Sequence, residues 1–329
     1  MNRINRRSFF KRSLAAGLAG GAVLVAGKEA RAAVPKSGPV GTIIDLTLCD
    51  GCTGEKVPLC VSACRQKNQG RVPAVQKPIQ PYWPQSKFED WSDKQQVIDR
   101  LTPYNWTYVQ KVSLEYGGAR QDVFVPRRCM HCDSPPCTKI CPFSAQTKTP
   151  EGPVVIDEGL CFGGAKCRDV CPWGIPARQA GVGLYLKVAP QFAGGGVMYK
   201  CDLCYDRVRA GRPPACVEAC PRQAIVYGPK EEMRAEARRR AEAIGGYLYG
   251  DKENGGTSTF YVSAVPFQAL DKAMREQSVD GKPGRSAMPV AVGNFLDTPN
   301  GLATAVLVAP VAGLVAAGAA ALRTMRVEE

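Results

Sequence analysis

The 329-residue sequence predicts an α+β fold built from two similar cysteine-rich repeats, with a long insertion and one C-terminal transmembrane helix. Three observations lead to this prediction. All 15 cysteines fall into four groups, short β-rich runs flank those groups, and an uncharged stretch lies near the end of the chain. The composition, with 45% hydrophobic residues, excludes disordered, collagenous and multi-span membrane proteins.

The first 32 residues have the features of an export signal. NRRSFFK at residues 5–11 is a twin-arginine motif, an apolar run follows at 14–26, and an A-x-A cleavage motif stands at 30–32. The alternative is a basic amphipathic helix that stays attached. The segment contains seven basic residues and one acidic residue, so the rest of the chain carries a net charge of +7 rather than +13. Nucleic-acid binding is therefore not needed to explain the basic balance.

Each cysteine group begins with closely spaced cysteines and ends in C-x3-C, and proline follows three of the four groups. In chain order the groups are Cys49, Cys52, Cys60 and Cys64; Cys129, Cys132, Cys137 and Cys141; Cys161, Cys167 and Cys171; Cys201, Cys204, Cys216 and Cys220. Bacterial ferredoxins use C-x2-C-x2-C-x3-C-P, where three thiolates hold one iron–sulfur cluster and the fourth binds a neighbouring cluster. The spacing therefore predicts four iron–sulfur clusters.

Two other uses of cysteine explain the pattern less well. Paired C-x2-C motifs also occur in zinc ribbons, and export would permit disulfides. Zinc accounts neither for the terminal C-x3-C-P nor for an odd total of 15 cysteines. Disulfides fit neither the odd number nor the C-x2-C spacing.

The third group lacks one cysteine. In CFGGAKC at residues 161–167, Gly164 stands where the second cysteine belongs. Glycine has no ligating side chain, so this site has three thiolates and is predicted to hold a [3Fe-4S] cluster. A [4Fe-4S] cluster with water on the fourth iron is the alternative. Three [4Fe-4S] clusters and one [3Fe-4S] cluster would use all 15 cysteines.

Short β-rich runs surround the groups, at 42–46, 123–125, 154–157 and 224–227. Strand, cysteine loop, short helix and strand is the bacterial two-cluster ferredoxin unit, which predicts two ferredoxin-like repeats. Over residues 40–270 the chain resembles the four-cluster ferredoxin-type subunits of membrane-bound oxidoreductases. Its ends resemble those of the ferredoxin-type subunit of membrane-bound uptake [NiFe] hydrogenase and of the formate dehydrogenase beta subunit. The third group, with its second cysteine missing, resembles the corresponding group in the beta subunits of nitrate and dimethyl sulfoxide reductases, where tryptophan stands at that position.

The resemblance implies that ligands are shared between groups, and it defines four sites. Site 1 comprises Cys49, Cys52, Cys60 and Cys220; site 2, Cys64, Cys201, Cys204 and Cys216; site 3, Cys129, Cys132, Cys137 and Cys171; site 4, Cys141, Cys161 and Cys167. Sites 1 to 3 would hold [4Fe-4S] clusters and site 4 the [3Fe-4S] cluster.

The domain organisation follows from these features. A four-cluster domain is expected at 33–228, with an insertion at 65–128, followed by an extension with a charged helix at 229–300. The insertion contains Trp83, Trp91 and Trp106, which indicate either a docking surface or a local core over a cluster. Residues 301–323 are predicted to form a transmembrane anchor, because Leu302–Leu322 is uncharged and about 31 Å long as a helix.

The predicted function is electron transfer without catalysis. Single electrons would pass between a periplasm-facing hydrogenase or molybdopterin-type catalytic subunit and a quinone- or haem-binding membrane subunit. The protein would lie on the periplasmic face of the inner membrane. A zinc-stabilised exported scaffold, or a self-contained reductase acting at the three-cysteine site, are the alternatives. His131, between two ligand cysteines, is expected to be a hydrogen-bond donor near a cluster with no separate role; the alternatives are that it tunes the potential of a cluster or couples a proton to it.

Overall fold

The computed structural model describes residues 38–79, 89–188, 195–278, 284–301 and 303. The strands of this part are β1 Val40–Asp45, β2 Tyr108–Tyr116, β3 Ala119–Arg127, β4 Gln146–Lys148, β5 Val154–Ile156, β6 Ala177–Gln179, β7 Val197–Tyr199, β8 Ile225–Pro229, β9 Tyr247–Tyr249 and β10 Thr259–Ser263. Its α-helices are α1 Leu59–Lys67, α2 Pro136–Lys139, α3 Lys166–Asp169, α4 Tyr185–Val188, α5 Tyr205–Arg209, α6 Ala215–Glu218, α7 Lys230–Ala243 and α8 Phe267–Glu276. Single 3₁₀ turns occur at Ser92–Lys94, Glu253–Gly255 and Phe295–Asp297.

A four-stranded mixed sheet supports the molecule, with strand order β8-β1-β10-β9. β1 runs antiparallel to β8 and parallel to β10, and β10 runs antiparallel to β9. Every residue of β1 and β10 is buried, as expected for central strands that are covered on both faces. The sheet contains strands from both sides of residue 228, so the C-terminal extension packs as part of the cysteine-rich fold.

Helix α7 covers one face of this sheet. Its Ala237 and Ala241 pack against Ile43, Phe260 and Val262. The two small alanine side chains let the helix approach the strands closely. The remaining face of the helix is charged and solvated, with ion pairs such as Arg240–Glu236 four residues apart. The opposite face of the sheet contributes to the core that contains the cysteines.

The two repeats are nested in the chain. β1, which precedes the first cysteine group, pairs with β8, which follows the fourth group. Helices α1 and α6 of the same two groups also pack together. The second and third groups lie between them and are flanked by the pairs β4–β5 and β6–β7. The first and fourth groups thus form an outer unit around an inner unit made by the second and third.

The insertion contains a β-hairpin and part of the core. β2 and β3 pair along their whole length, and the turn between them has positive φ at Gly117 and Gly118. Trp106 is 4% exposed, donates its indole N–H to the Pro103 carbonyl at 2.7 Å and packs on Tyr199 with ring centroids 6.3 Å apart. Trp106 is therefore a core residue next to the fourth cysteine group. Trp83 lies outside the described residues.

The prediction of a transmembrane helix at 301–323, and of the anchored localisation that depends on it, is wrong. No helix of the described residues is long and apolar enough to span a lipid bilayer. The longest, α7, has 14 residues, which is about 21 Å against a hydrocarbon core of about 30 Å. The sequence offers a physical reason, because Pro310 lies inside 301–323 and proline interrupts the hydrogen bonding of a continuous helix.

Two predicted segments lie largely or wholly outside the described residues. The first is the proposed anchor, because the structure does not describe residue 302 or residues 304–329. The proposed twin-arginine signal at 1–32 is also outside, and it stays a prediction.

Candidate metal centres

Site 1 lies at one end of the cysteine-rich core. Cys49, Cys52, Cys60 and Cys220 line a common cavity of about 340 Å³, counted with its opening. The loop that carries the first two cysteines needs glycine at Gly51, where φ is +68° and a Cβ atom would lie 2.2 Å from the Phe124 ring. The sequence brings Cys220 here from 160 positions beyond Cys60 because β1 pairs with β8.

Helix α1 connects sites 1 and 2. Cys60 and Cys64 stand four residues apart, so they lie on the same face of the helix, and both are buried. Cys60 belongs to the site 1 cavity, whereas Cys64 interacts electrostatically with Cys201, Cys204 and Cys216. All four of these site 2 cysteines are buried. The C-x3-C spacing therefore directs successive thiols of one helix to two different sites.

Site 3 lies beyond site 2. Cys129, Cys132, Cys137 and Cys171 line a cavity of about 360 Å³, which Lys200 and Asn254 also border. The C-terminal extension closes this site, because Thr257 forms an isolated β-bridge with Cys132. The same four cysteines were expected together from the family resemblance alone.

Site 4 has three cysteines and an open corner. Cys141, Cys161 and Cys167 line a cavity of about 440 Å³ together with Gly164. Gly164 is exposed, and a Cβ atom added to it would meet nothing within 4 Å. Its neighbour Gly163 differs, since it has a φ of +68° and a Cβ atom there would lie 2.5 Å from the Gly196 carbonyl oxygen.

The four sites are neighbours in succession. Cys60 of site 1 interacts electrostatically with Cys216 of site 2. Cys201 of site 2 interacts with Cys129 of site 3, and Cys167 of site 4 interacts with Cys137 of site 3. The order is therefore 1, 2, 3, 4, with the three-cysteine site at one end.

Burial raises the pKa of several of these thiols, which favours their protonated form in the absence of a metal. It raises the pKa of Cys49 to about 11, and it raises that of Cys201 to about 11 although Arg128 acts in the opposite direction. Burial likewise raises the pKa of Cys64 and Cys167 well above the ordinary value for cysteine. Iron would supply the positive charge that stabilises the thiolates at neutral pH.

Two buried cations lie between sites 2 and 3. Arg128 is 1% exposed and Lys200 is 5% exposed, and neither forms an ion pair with a carboxylate within the described ranges. Burial acts to lower the pKa of Lys200, but interactions with Cys129 and Cys137 outweigh burial and raise it. An uncompensated buried charge costs several kcal/mol. Negative charge on clusters in sites 2 and 3 would compensate both cations.

Three amide side chains also face the cysteines. Asn254 is fully buried and lines site 3, where its side chain interacts with the Cys132 thiol but neither amide atom reaches a partner in full hydrogen-bond geometry. Gln146 lines site 4 in the same unpaired state. At site 2, the Asn68 amide nitrogen donates to Cys64 Sγ at 3.5 Å. Buried amides without partners are rare in folded proteins, so these cavities suit an occupant that accepts hydrogen bonds.

His131 is fully buried between the cysteines of site 3. Its pKa is lowered well below the ordinary value, first by burial and then by the charges of Lys200 and Arg128, so the ring is neutral. His131 Nδ1 accepts a hydrogen bond from the Val154 backbone N–H at 3.0 Å, and Nε2 lies 3.7 Å from Cys201 Sγ.

The donor set fits iron–sulfur clusters in all four sites. No three cysteines, histidines or carboxylates of the described residues converge closely enough to hold a single metal ion. Instead, the cysteines of sites 1, 3 and 4 line apolar cavities, those of site 2 are buried together, and backbone N–H groups point at sulfurs, as Met198 does at Cys161 Sγ (3.3 Å). Hydrogen bonds of this kind set cluster potentials in iron–sulfur proteins.

Sequence reasoning missed the buried residues that accompany the cysteines. Arg128 and Lys200 each directly precede the first cysteine of a group, so a basic residue before C-x2-C is a signal that could have identified them. Asn254 lies more than 80 residues beyond its site 3 neighbours, and nothing local in the sequence distinguishes it.

Comparison with known proteins agrees with this geometry. Models of a 4Fe-4S dicluster domain match residues 48–145 and 121–230. Hydrogenase-2 operon protein HybA of Escherichia coli O157:H7 is 30% identical over 307 aligned positions, covering 82% of this chain and 83% of that protein. The probable anaerobic dimethyl sulfoxide reductase chain YnfG of Escherichia coli strain K12 is 46% identical over 107 positions, which cover 32% of this chain and 45% of that protein.

Proposed function

The chain belongs to the multi-cluster ferredoxin-type iron–sulfur subunits of oxidoreductase complexes, and from this premise we propose that it relays single electrons along sites 1, 2, 3 and 4. It is an electron-transfer subunit and not the catalytic one. The clusters supply the redox chemistry when bound. The protein holds them in order, excludes water and adjusts their charge through Arg128, Lys200 and the backbone N–H donors.

The order of the sites is the observation that carries this proposal. All four cysteines of site 2 are buried, so electrons would reach this site through its neighbours. Solvent comes close to site 1 at the half-buried Cys49 and Cys52, and to site 4 at the exposed Gly164. Site 3 also has two half-buried cysteines, so site 2 is the most protected step of the relay.

The ligand assignment is part of the proposal. Sites 1, 2 and 3 each gather four cysteines and would hold [4Fe-4S] clusters, whereas site 4 gathers three and would hold a [3Fe-4S] cluster. Support for the latter comes from Gly164, whose conformation and surroundings would accept a cysteine. The backbone at position 164 therefore does not require glycine. The effect of glycine there is that site 4 has three thiolates instead of four.

The partners follow from the relatives. One end would meet a catalytic subunit of the hydrogenase or molybdopterin type, since the relatives carry the names hydrogenase-2 operon protein and anaerobic dimethyl sulfoxide reductase. The other end would meet an integral membrane subunit that binds quinone or haem.

Removal of the site 2 cluster tests the relay. In the assembled complex, Cys204→Ala should abolish catalytic turnover with quinone. Turnover with an artificial dye that takes electrons directly from the catalytic subunit should continue, which also shows that the complex has assembled. Undiminished turnover with quinone in a complex that has lost the site 2 cluster would contradict the proposal.

A further inference from the structure

His131 has a defined proton position. Its Nδ1 accepts the Val154 backbone N–H at 3.0 Å, and a backbone amide can only donate. Nδ1 therefore carries no proton, and the neutral ring carries its single proton on Nε2. That N–H points toward Cys201 Sγ at 3.7 Å. Because the ring is fully buried and held from both sides, this tautomer is fixed by the fold.

The hydrogen bond crosses between two sites. His131 belongs to the C-x2-C loop of site 3, whereas Cys201 belongs to site 2. Arg128, from the same loop segment, also donates to Cys201 Sγ through Nη1 at 3.9 Å. The Leu203 backbone N–H is a third donor at 3.4 Å. Two of the three donors to this sulfur thus come from the neighbouring site.

We infer that His131 is a positioning residue for electron transfer, which raises the reduction potential of the site 2 cluster by donating its Nε2–H to Cys201. This inference rests on the proposed function, because it assumes a cluster in site 2. A hydrogen bond to a ligand sulfur stabilises the extra negative charge of the reduced cluster and so makes reduction easier. The potential of the site 2 cluster would therefore depend on a residue in the cysteine loop of site 3.

The same contact gives site 2 a particular place in the relay. Arg128 adds a buried positive charge that acts on Cys201 and Cys216. Together, the hydrogen bond from His131 and the charge of Arg128 stabilise an added electron on site 2, and they act against the burial of this site, which disfavours added negative charge.

A single label tests the contact directly. His131 is the only histidine of the 329 residues, so growth on ¹⁵N-histidine labels this ring alone in an untagged chain. In the full-length, cluster-loaded protein, partly reduced under anaerobic conditions, pulsed electron paramagnetic resonance (EPR) should detect ¹⁵N coupling to a four-iron signal. The component that couples should be the one that Cys204→Ala removes. Intact clusters without ¹⁵N coupling would overturn the inference.

A pair of variants tests the effect on potential. His131 has a φ of +50°, a conformation that asparagine tolerates better than most residues. His131→Asn keeps the backbone, but its shorter amide cannot span the distance to Cys201. EPR-monitored redox titration should then show a lower potential for the site 2 component and an unchanged three-iron component. His131→Gln, which has a longer amide donor, should recover part of the lost reduction potential.

A matched control separates this effect from general disturbance. Asn254 lines site 3 and has a φ of +54°, so Asn254→Gly removes its amide without backbone strain. This variant should shift the reduction potential of the site 3 cluster and leave that of the site 2 cluster unchanged. If His131→Asn shifts all components equally, or none while iron content is retained, the inference fails. Absence of iron–sulfur signals from the wild-type chain would instead refute the proposed function.

Discussion

Gly163 and Gly164 are neighbours in the third cysteine group, yet they are glycines for different reasons. Gly163 has a left-handed backbone and is pressed against Gly196, so no other residue fits without rearrangement. Gly164 has neither constraint. This contrast indicates that Gly163 is needed for the backbone, whereas Gly164 acts by leaving site 4 without a fourth thiolate.

The first prediction concerns this position. Gly164→Cys should place a fourth thiolate at site 4 without backbone strain, so the site should bind a fourth iron. Iron content should rise from about 15 to about 16 per chain, and the EPR signal of the oxidised three-iron cluster should disappear.

Gly163→Ala is the matched control for that substitution. Its Cβ atom would collide with the Gly196 backbone, so it should impair site 4 without creating a four-iron signal. If Gly164→Cys retains the three-iron signal with the new thiol unligated, the three-cysteine explanation of site 4 is wrong.

At the level of single residues, local spacing predicted the four cysteine groups and the gap at Gly164, and the family resemblance predicted which cysteines lie together; their roles as cluster ligands stay a prediction. It was insufficient for Lys200 and Asn254. Their importance comes from burial beside a cavity, and burial depends on how distant segments pack.

At the level of elements, short helices distribute the ligands and the sheet holds them together. Helix α1 sends Cys60 and Cys64 to different sites, and α7 packs on the back of the sheet that brings the first and fourth groups together. The β-rich runs of the sequence coincide with β1, β3, β5 and β8. The parallel pairing of β1 with β10 was not predictable, because their partner residues are more than 200 positions apart.

The second prediction tests the packing of α7. Ala237 is fully buried against β1 and β10, so Ala237→Leu should overpack the contact and destabilise the fold by about 1–3 kcal/mol. Ala235 lies on the exposed face of the same helix, and Ala235→Leu should change stability by less than about 0.5 kcal/mol. Urea unfolding of the loaded protein followed by circular dichroism compares the two. Equal stabilities would show that α7 does not pack as described.

At the level of the whole molecule, the proposed clusters and the fold should depend on each other. Every site has buried thiols, two buried cations lie between sites 2 and 3, and Asn254 and Gln146 line sites 3 and 4. Negatively charged clusters in these sites would compensate the cations and accept hydrogen bonds from the amides. The nested order of the repeats follows from this, because every site takes ligands from two separate groups. The membrane anchor was the feature for which sequence reasoning failed, since a long uncharged stretch alone does not establish a spanning helix.

The third prediction concerns iron removal. Chelation under reducing conditions should leave Arg128 and Lys200 buried without counter-charge, so the apoprotein should lose its fixed tertiary packing. Near-ultraviolet circular dichroism should collapse while part of the far-ultraviolet signal remains. Reconstitution with iron and sulfide should restore the near-ultraviolet signal, whereas zinc alone should not. An apoprotein with a native near-ultraviolet spectrum would contradict this interdependence.

The ligand sets of the four sites imply that one chain carries three four-iron clusters and one three-iron cluster in succession. Mössbauer spectroscopy of the full-length protein, enriched in ⁵⁷Fe and purified anaerobically, measures these cluster types together with iron quantification. The predicted result is about 15 irons per chain, of which about one fifth belong to a three-iron cluster. A content near 16 with four-iron clusters only would contradict the assignment of site 4, and a protein that bound zinc without iron would contradict the claim as a whole.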